Sequence, residues 1–287
     1  MQHKQRFTNV TLVTPYGEED KDLLIDGDKI VDILNPNENI SDEWKIIDGQ
    51  NNFIFPGMID VLQHGFLNYL YGHAEENCTV DNSKILPSVG VTGFLPSTPC
   101  LPPEKTKTLL NALSNDIDKA KEGARVLGIH SEGPCFALPG AHDPKNLRNP
   151  SVSLAEELLD ACQGKLKALT LAPEMNGSEE FIKRLKKEKI SIHLGHSGAN
   201  PIDVPKFADW GVDAVTHMYD ALPTYPPDDT GVHVLSLTDA LIAETRIALG
   251  VICDGIHVHP QLVELLSHLP TDRAVSYTHL TLPTRRG

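Results

Sequence analysis

Two stretches decide the fold: Leu127-Gly128-Ile129-His130-Ser131-Glu132-Gly133-Pro134 and Ile190-Ser191-Ile192-His193-Leu194-Gly195-His196-Ser197. Each is a short apolar run that passes directly into imidazole or carboxylate and then into glycine. The same device recurs at Ala214-Val215-Thr216-His217 and at Val251-Ile252-Cys253-Asp254-Gly255-Ile256-His257. Short, β-branched runs bounded by glycine read as strands buried on both faces. Working outward, strand-like runs fall at 58–62, 92–95, 126–129, 168–171, 190–194, 214–216 and 247–252, with helix-like segments such as 104–120, 154–162, 178–188 and 260–269 between them. Ser178 followed by Glu179-Glu180 is a helix start. This alternation predicts a parallel sheet with helical crossovers. A doubly wound sheet and a (β/α)8 barrel both satisfy it.

Upstream the pattern differs. Residues 7–13 are β-rich, Tyr16-Gly17 turns, and two apolar runs flank Asp26-Gly27-Asp28, a hairpin signal. Residues 46–47 and 53–55 continue the strands until Pro56-Gly57 breaks them. Residues 1–55 are therefore expected to form a β-domain separate from the alternating region.

Composition narrows the function. The chain has 287 residues and a formal net charge of −14, which would repel a phosphate backbone and argues against nucleic-acid partners. No apolar run approaches the ~18 residues that span a bilayer, and the first residues lack an apolar signal core, so no membrane association or export is expected. The five cysteines are odd in number and scattered, which points to reduced thiols and a cytoplasmic setting.

In barrel enzymes the C-terminal strand ends converge on one active site. His and Glu at several such ends can thus meet although they lie far apart in sequence. Carboxylate with imidazole suits zinc, and also iron, cobalt or nickel. Each residue also has a plainer explanation. A single strand-end histidine is commonly a hydrogen-bonded structural residue, Asp254 can simply cap the turn before Gly255, and Gly195-His196-Ser197-Gly198 can cradle a phosphate, although no Walker-type lysine follows. Four such ends in phase with the strands favour a shared site.

These pieces, together with Pro56-Gly57-Met58-Ile59-Asp60, Gly140-Ala141-His142, Thr170-Leu171-Ala172-Pro173-Glu174 and Thr216-His217-Met218-Tyr219-Asp220-Ala221, make the chain resemble the N-acetylglucosamine-6-phosphate deacetylases of the amidohydrolase superfamily, in the family's order from about residue 7 to 274. The resemblance implies a (β/α)8 TIM barrel with a small β-sandwich domain assembled from both chain ends. It implies one divalent metal held by Glu132, His196 and His217. It places Ala141, His142, Asp220 and Ala221 along the sugar and His257 on the amide carbonyl. The reaction implied is amide hydrolysis of an N-acetyl amino sugar, and homodimers are common in the family.

The chain departs from the family at four places. The first-strand His-x-His pair reads Leu62 and His64, which disfavours a second metal and leaves His64 a supporting or purely structural group. Asp228 stands where the family carries the arginine that grips the sugar phosphate, and an aspartate would repel that dianion. A substrate lacking the 6-phosphate is therefore expected. The catalytic aspartate of the eighth strand is missing, since nothing acidic follows Asp272, while Thr238-Asp239-Ala240 is a decoy between the sixth and seventh strands. Residues 275–287 do not resemble the family and read like a translated sequencing adapter. The expected organisation is thus an N-terminal part of a β-sandwich (1–55), a (β/α)8 barrel missing its last strand (56–274) and a non-native tail (275–287), with a C-terminally truncated chain that turns over little. The alternatives are an amidohydrolase for a cyclic amide or nucleobase, which usually keeps His-x-His or a bridging lysine, and a non-catalytic metal- or sugar-binding homologue.

Overall fold

The computed structural model describes residues 4–67, 69–73, 77–223, 231–270 and 273–277. They divide into two compact units, 1–57 and 58–287. The first is a five-stranded sheet of β1 (Lys4–Thr14), β2 (Gly17–Asp20), β3 (Asp22–Asp26), β4 (Lys29–Leu34) and β5 (Lys45–Ile54), in the order β2-β1-β3-β4 with β5 parallel to β1. The expected hairpin is present: Asp26 pairs with Lys29 across Gly27-Asp28, and Gly27 takes φ 64°. Val10, Leu12 and Leu23 form its small core.

The second unit confirms the barrel and excludes the doubly wound order. Its strands are β6 (Met58–Gln63), β7 (Val91–Thr98), β8 (Ile129–Glu132), β9 (Leu166–Leu171), β10 (Ser191–Leu194), β11 (Val212–Val215), β12 (Ala248–Ile252) and β13 (Ala274–Tyr277). They lie side by side in chain order and all neighbours are parallel. A doubly wound sheet would reverse its order part-way. Helices α1 (Cys78–Ile85), α2 (Pro103–Lys119), α3 (Val152–Ala161), α4 (Ser178–Lys186), α5 (Val204–Trp210), α6 (Leu237–Ala243) and α7 (Pro260–Ser267) follow the strands from β6 to β12. The main core contains Leu109 and Leu113 of α2, Leu158 of α3, Phe181 and Leu185 of α4, and strand residues such as Leu169 and Ile192. Among the described residues no helix is long and apolar enough to cross a membrane.

Two expectations need correction. The barrel does not lack its last strand, because Ala274–Tyr277 pairs in parallel with β12, from Leu249↔Ala274 to Ile252↔Tyr277. An edge strand presents a row of unpaired backbone groups, and the four-residue Ala-Val-Ser-Tyr segment satisfies those of β12. Residues 275–277, expected to stand apart from the fold, are thus in the sheet, while 278–287 lie outside the described residues. The run at 126–129 is also broken. Arg125–Val126 pairs with β7, and β8 begins only at Ile129, after Gly128 at φ 147°. A Cβ at Gly128 would come within 2.2 Å of Lys167 Cγ and 2.8 Å of Lys165 O, so the chain can only change direction there with glycine. Thr238-Asp239-Ala240 lies on α6, where Asp239 closes a capping box with Ser236, consistent with the decoy reading.

Candidate metal centre and active site

Glu132 is the last residue of β8, His196 follows β10 by two residues, and His217 follows β11 by two. Parallel neighbouring strands of the curled sheet bring these ends together. One ligand atom from each of the three lies within 4.8 Å of the others, and all three residues are buried. The protons of both imidazoles are fixed by their second nitrogens. His196 Nδ1 donates to Leu138 O at 3.1 Å and His217 Nδ1 donates to Asp220 O at 3.1 Å. A carbonyl only accepts, so in the neutral rings both Nε2 atoms carry lone pairs. Those two nitrogens sit 3.1 Å apart and face Glu132 Oε1 at 3.4 Å and 3.2 Å. Two lone pairs and a carboxylate oxygen directed at one point form a ligand set for a cation. The residues present therefore fit a divalent metal, and the Glu/His/His donor set suits several.

The other carboxylate oxygen is held differently. Glu132 Oε2 lies 3.0 Å from His64 Nε2 and 3.6 Å from His142 Nε2. His142 Nδ1 accepts the Cys100 N–H at 3.3 Å, so its Nε2 carries a proton and points a donor at Glu132. His64 Nδ1 donates to Ser97 O at 3.2 Å. Burial opposes charge on His64, but the Glu132 carboxylate outweighs it and raises the imidazole above its usual range. Burial alone would raise Glu132. The surrounding imidazoles, the His64 charge foremost, overcome that and hold its carboxyl well below the usual carboxylate range. One carboxylate thus faces His196 and His217 with Oε1 and His64 and His142 with Oε2.

Both histidines of this cluster occupy left-handed backbone, His196 at φ 51° and His217 at φ 38°. This conformation costs roughly 1–2 kcal/mol per residue. Around His196 the chain is braced by Glu174, which accepts from Ser197 Oγ at 2.8 Å and Gly198 N at 2.7 Å, and by Phe136, whose ring stacks on the imidazole at 4.1 Å. Beneath the site His130 Nδ1 donates to Val61 O at 2.7 Å, its Nε2 meets Thr170 Oγ1 at 2.8 Å, and Thr170 Oγ1 meets Thr216 Oγ1 at 2.7 Å. Burial drives His130 down to about 4, so the ring is neutral. The order of donors then follows: Thr216 O–H to Thr170, Thr170 O–H to His130, His130 to the Val61 carbonyl.

The predicted substrate residues sort cleanly. Ala141, His142, Asp220, Ala221 and His257 line one cavity of about 550 Å³ whose wall also includes Glu132, His196 and His217. Asp228 lies outside the described residues. Leu62 is buried against Ile252, where its alkyl side chain supplies packing in place of a ligand. Three supporting residues escaped the sequence reading. Thr170 and Glu174 lie within a quoted motif that assigned them no role, and Phe136 carries no local signal, because each meets its partner only in the folded barrel.

A (β/α)8 barrel with a carboxylate and two imidazoles converging at the ends of its strands is an arrangement suited to holding one divalent metal. No protein-family model matches the chain. Curated relatives do. It is 29% identical over 272 residues to the N-acetylglucosamine-6-phosphate deacetylase of Danio rerio, covering 91% of this chain and 66% of the relative. It is 30% identical over 273 residues to that of Homo sapiens, covering 91% and 65%. The crystal structure of N-acetylglucosamine-6-phosphate deacetylase from Thermotoga maritima superposes with a TM-score of 0.78 at 29% identity, over 98% of this chain and 73% of that one. The chain is thus similar over most of its length to N-acetylglucosamine-6-phosphate deacetylases. It spans just under two thirds of the length of these curated relatives.

Proposed function

We propose that this chain hydrolyses the acetamide of an N-acetylated amino sugar, releasing acetate and the free amine. The observation that carries the reading is the convergence of Glu132 Oε1, His196 Nε2 and His217 Nε2 in the wall of a cavity sized for one sugar. A divalent ion bound there supplies Lewis acidity toward a carbonyl and acidifies water. Every other role falls to this chain's own residues. His64 and His142 hold the second oxygen of Glu132, and Oε1 would be the atom offered to the ion. Ala141, His142, Asp220 and Ala221 form the sugar wall, and His257 reaches the same space. The family name of the relatives supports an amino sugar substrate. Five cysteines without a disulfide support a reducing, cytoplasmic setting.

Selection for a 6-phosphate is proposed to be weak. Among the described residues, those lining the cavity include no lysine or arginine, and Asp228 holds the position at which the family resemblance expects the phosphate-gripping arginine. The test is acetate release by the zinc-loaded protein on N-acetylglucosamine, N-acetylgalactosamine and their 6-phosphates, alongside calorimetric binding. Comparable rates with and without the phosphate are expected. A strong preference for the phosphate ester overturns the selectivity. Binding without acetate release replaces the hydrolase with a sugar-binding homologue.

A further inference from the structure

We propose that Thr170 is the positioning residue of the metal centre, the one side chain that sets the spacing of Glu132, His196 and His217. The assignment rests on the metal-centre reading above and adds to it. Thr170 is fully buried and adjoins each of the three by a different contact. Its backbone pairs with Glu132 in the β8–β9 ladder, and its carbonyl accepts the N–H of Gly133 at 3.0 Å. Its side chain faces the other two. A Cβ on Gly195, the residue before His196, would stand 2.7 Å from Thr170 Cγ2, so the glycine lies directly against the threonine methyl. Thr170 Oγ1 meets Thr216 Oγ1, on the residue before His217, at 2.7 Å. The same hydroxyl is anchored by His130 Nε2 at 2.8 Å, and His130 in turn by Val61 O at 2.7 Å.

The backbone explains why such a residue is needed. His217 opens a segment in which His217, Tyr219 and Ala221 take left-handed φ, at 38°, 75° and 50°. Non-glycine residues keep that conformation only where the surroundings over-determine it. His196 has Glu174 and Phe136 for this purpose. The entry to the His217 segment is held by Thr216, whose N–H donates to Leu194 O at 2.8 Å and whose hydroxyl is tied to Thr170. Further along, the Met218 N–H donates to Gly250 O at 2.7 Å. Without the Thr170 hydroxyl the segment can relax toward ordinary backbone, and His217 Nε2 then leaves the point that Glu132 Oε1 and His196 Nε2 share. Affinity for an ion falls with the fraction of molecules that hold the binding arrangement.

Thr170→Val removes the hydroxyl and keeps the shape. Zinc affinity, measured by competition against a chromophoric chelator, should weaken roughly 10- to 100-fold. The visible spectrum of the cobalt-loaded protein, which reports ligand geometry, should shift. In the metal-free protein, hydrogen exchange at the Thr216 and Met218 amides should accelerate roughly 5- to 10-fold, and by more than at the amides of α4. Thr170→Ser keeps the hydroxyl and should return affinity, spectrum and exchange to the parent's values. Should Thr170→Val fail to fold, Thr216→Val breaks the same hydrogen bond from its other end and takes the same tests. Zinc affinity within about threefold of the parent with an unshifted cobalt spectrum overturns the assignment. So does exchange accelerated equally in α4, which marks a loss of general stability, or a serine variant as impaired as the valine one. A parent that binds neither zinc nor cobalt overturns the metal-centre reading, and this assignment with it.

Discussion

Glu132→Gln tests the metal centre most directly. The side chain is 2% exposed and is flanked by four imidazoles, two on each oxygen. The amide has nearly the same shape but no charge, and it fits neither orientation. With its NH2 at the Oε1 position, donors face the point on which His196 and His217 converge. With its NH2 at the Oε2 position, it meets the His142 Nε2–H that Cys100 fixes. Removing one member of a buried charged cluster costs about 3–5 kcal/mol. At about 1.4 kcal/mol per decade this weakens zinc binding by roughly 100- to 4,000-fold. The assay is zinc competition against a chromophoric chelator, combined with thermal unfolding. At zinc 100-fold above the parent's Kd, binding stabilises the parent by about 2.7 kcal/mol, or about 5–8 °C in a chain of this size. The same concentration is at or below the variant's Kd, so its gain is at most about 0.4 kcal/mol, roughly 1 °C. A variant that binds zinc within threefold of the parent and keeps the full thermal shift would refute the ligand assignment.

Two further perturbations probe the framework. A Cβ at Gly195 would stand 2.7 Å from Thr170 Cγ2 and 3.1 Å from Thr216 Cβ, so Gly195→Ala should cost roughly 1–3 kcal/mol in urea unfolding and weaken zinc binding by displacing His196. Unchanged affinity would show that the ligand loop moves independently of its strand. Arg273 is 6% exposed, and its guanidinium donates to the carbonyls of Ile247 at 3.0 Å, Leu241 at 3.3 Å and Ile242 at 3.2 Å. Arg273→Met should lower stability by roughly 3 kcal/mol through the stranded carbonyls. A urea midpoint equivalent to less than about 0.5 kcal/mol of change would mean that water replaces the guanidinium.

The sequence by itself determined the strand–helix alternation, the hairpin at Gly27-Asp28, and the residue types at the strand ends that supply the candidate ligands. These are local matters. A buried parallel strand must be apolar along its length, a two-residue turn needs a residue tolerant of positive φ, and the barrel admits polar chemistry at its strand ends. The eighth strand was not legible because Ala274–Tyr277 acquires its role only from the exposed edge of β12. The division of labour around Glu132 was hidden for a related reason. Whether an imidazole offers a lone pair or a proton depends on its other nitrogen, and those partners are Ser97 O for His64, Cys100 N for His142, and Leu138 O for His196. Each lies on a segment remote in sequence. Residue type and spacing limit which groups can reach the centre, and the folded barrel decides which atom each one turns toward it.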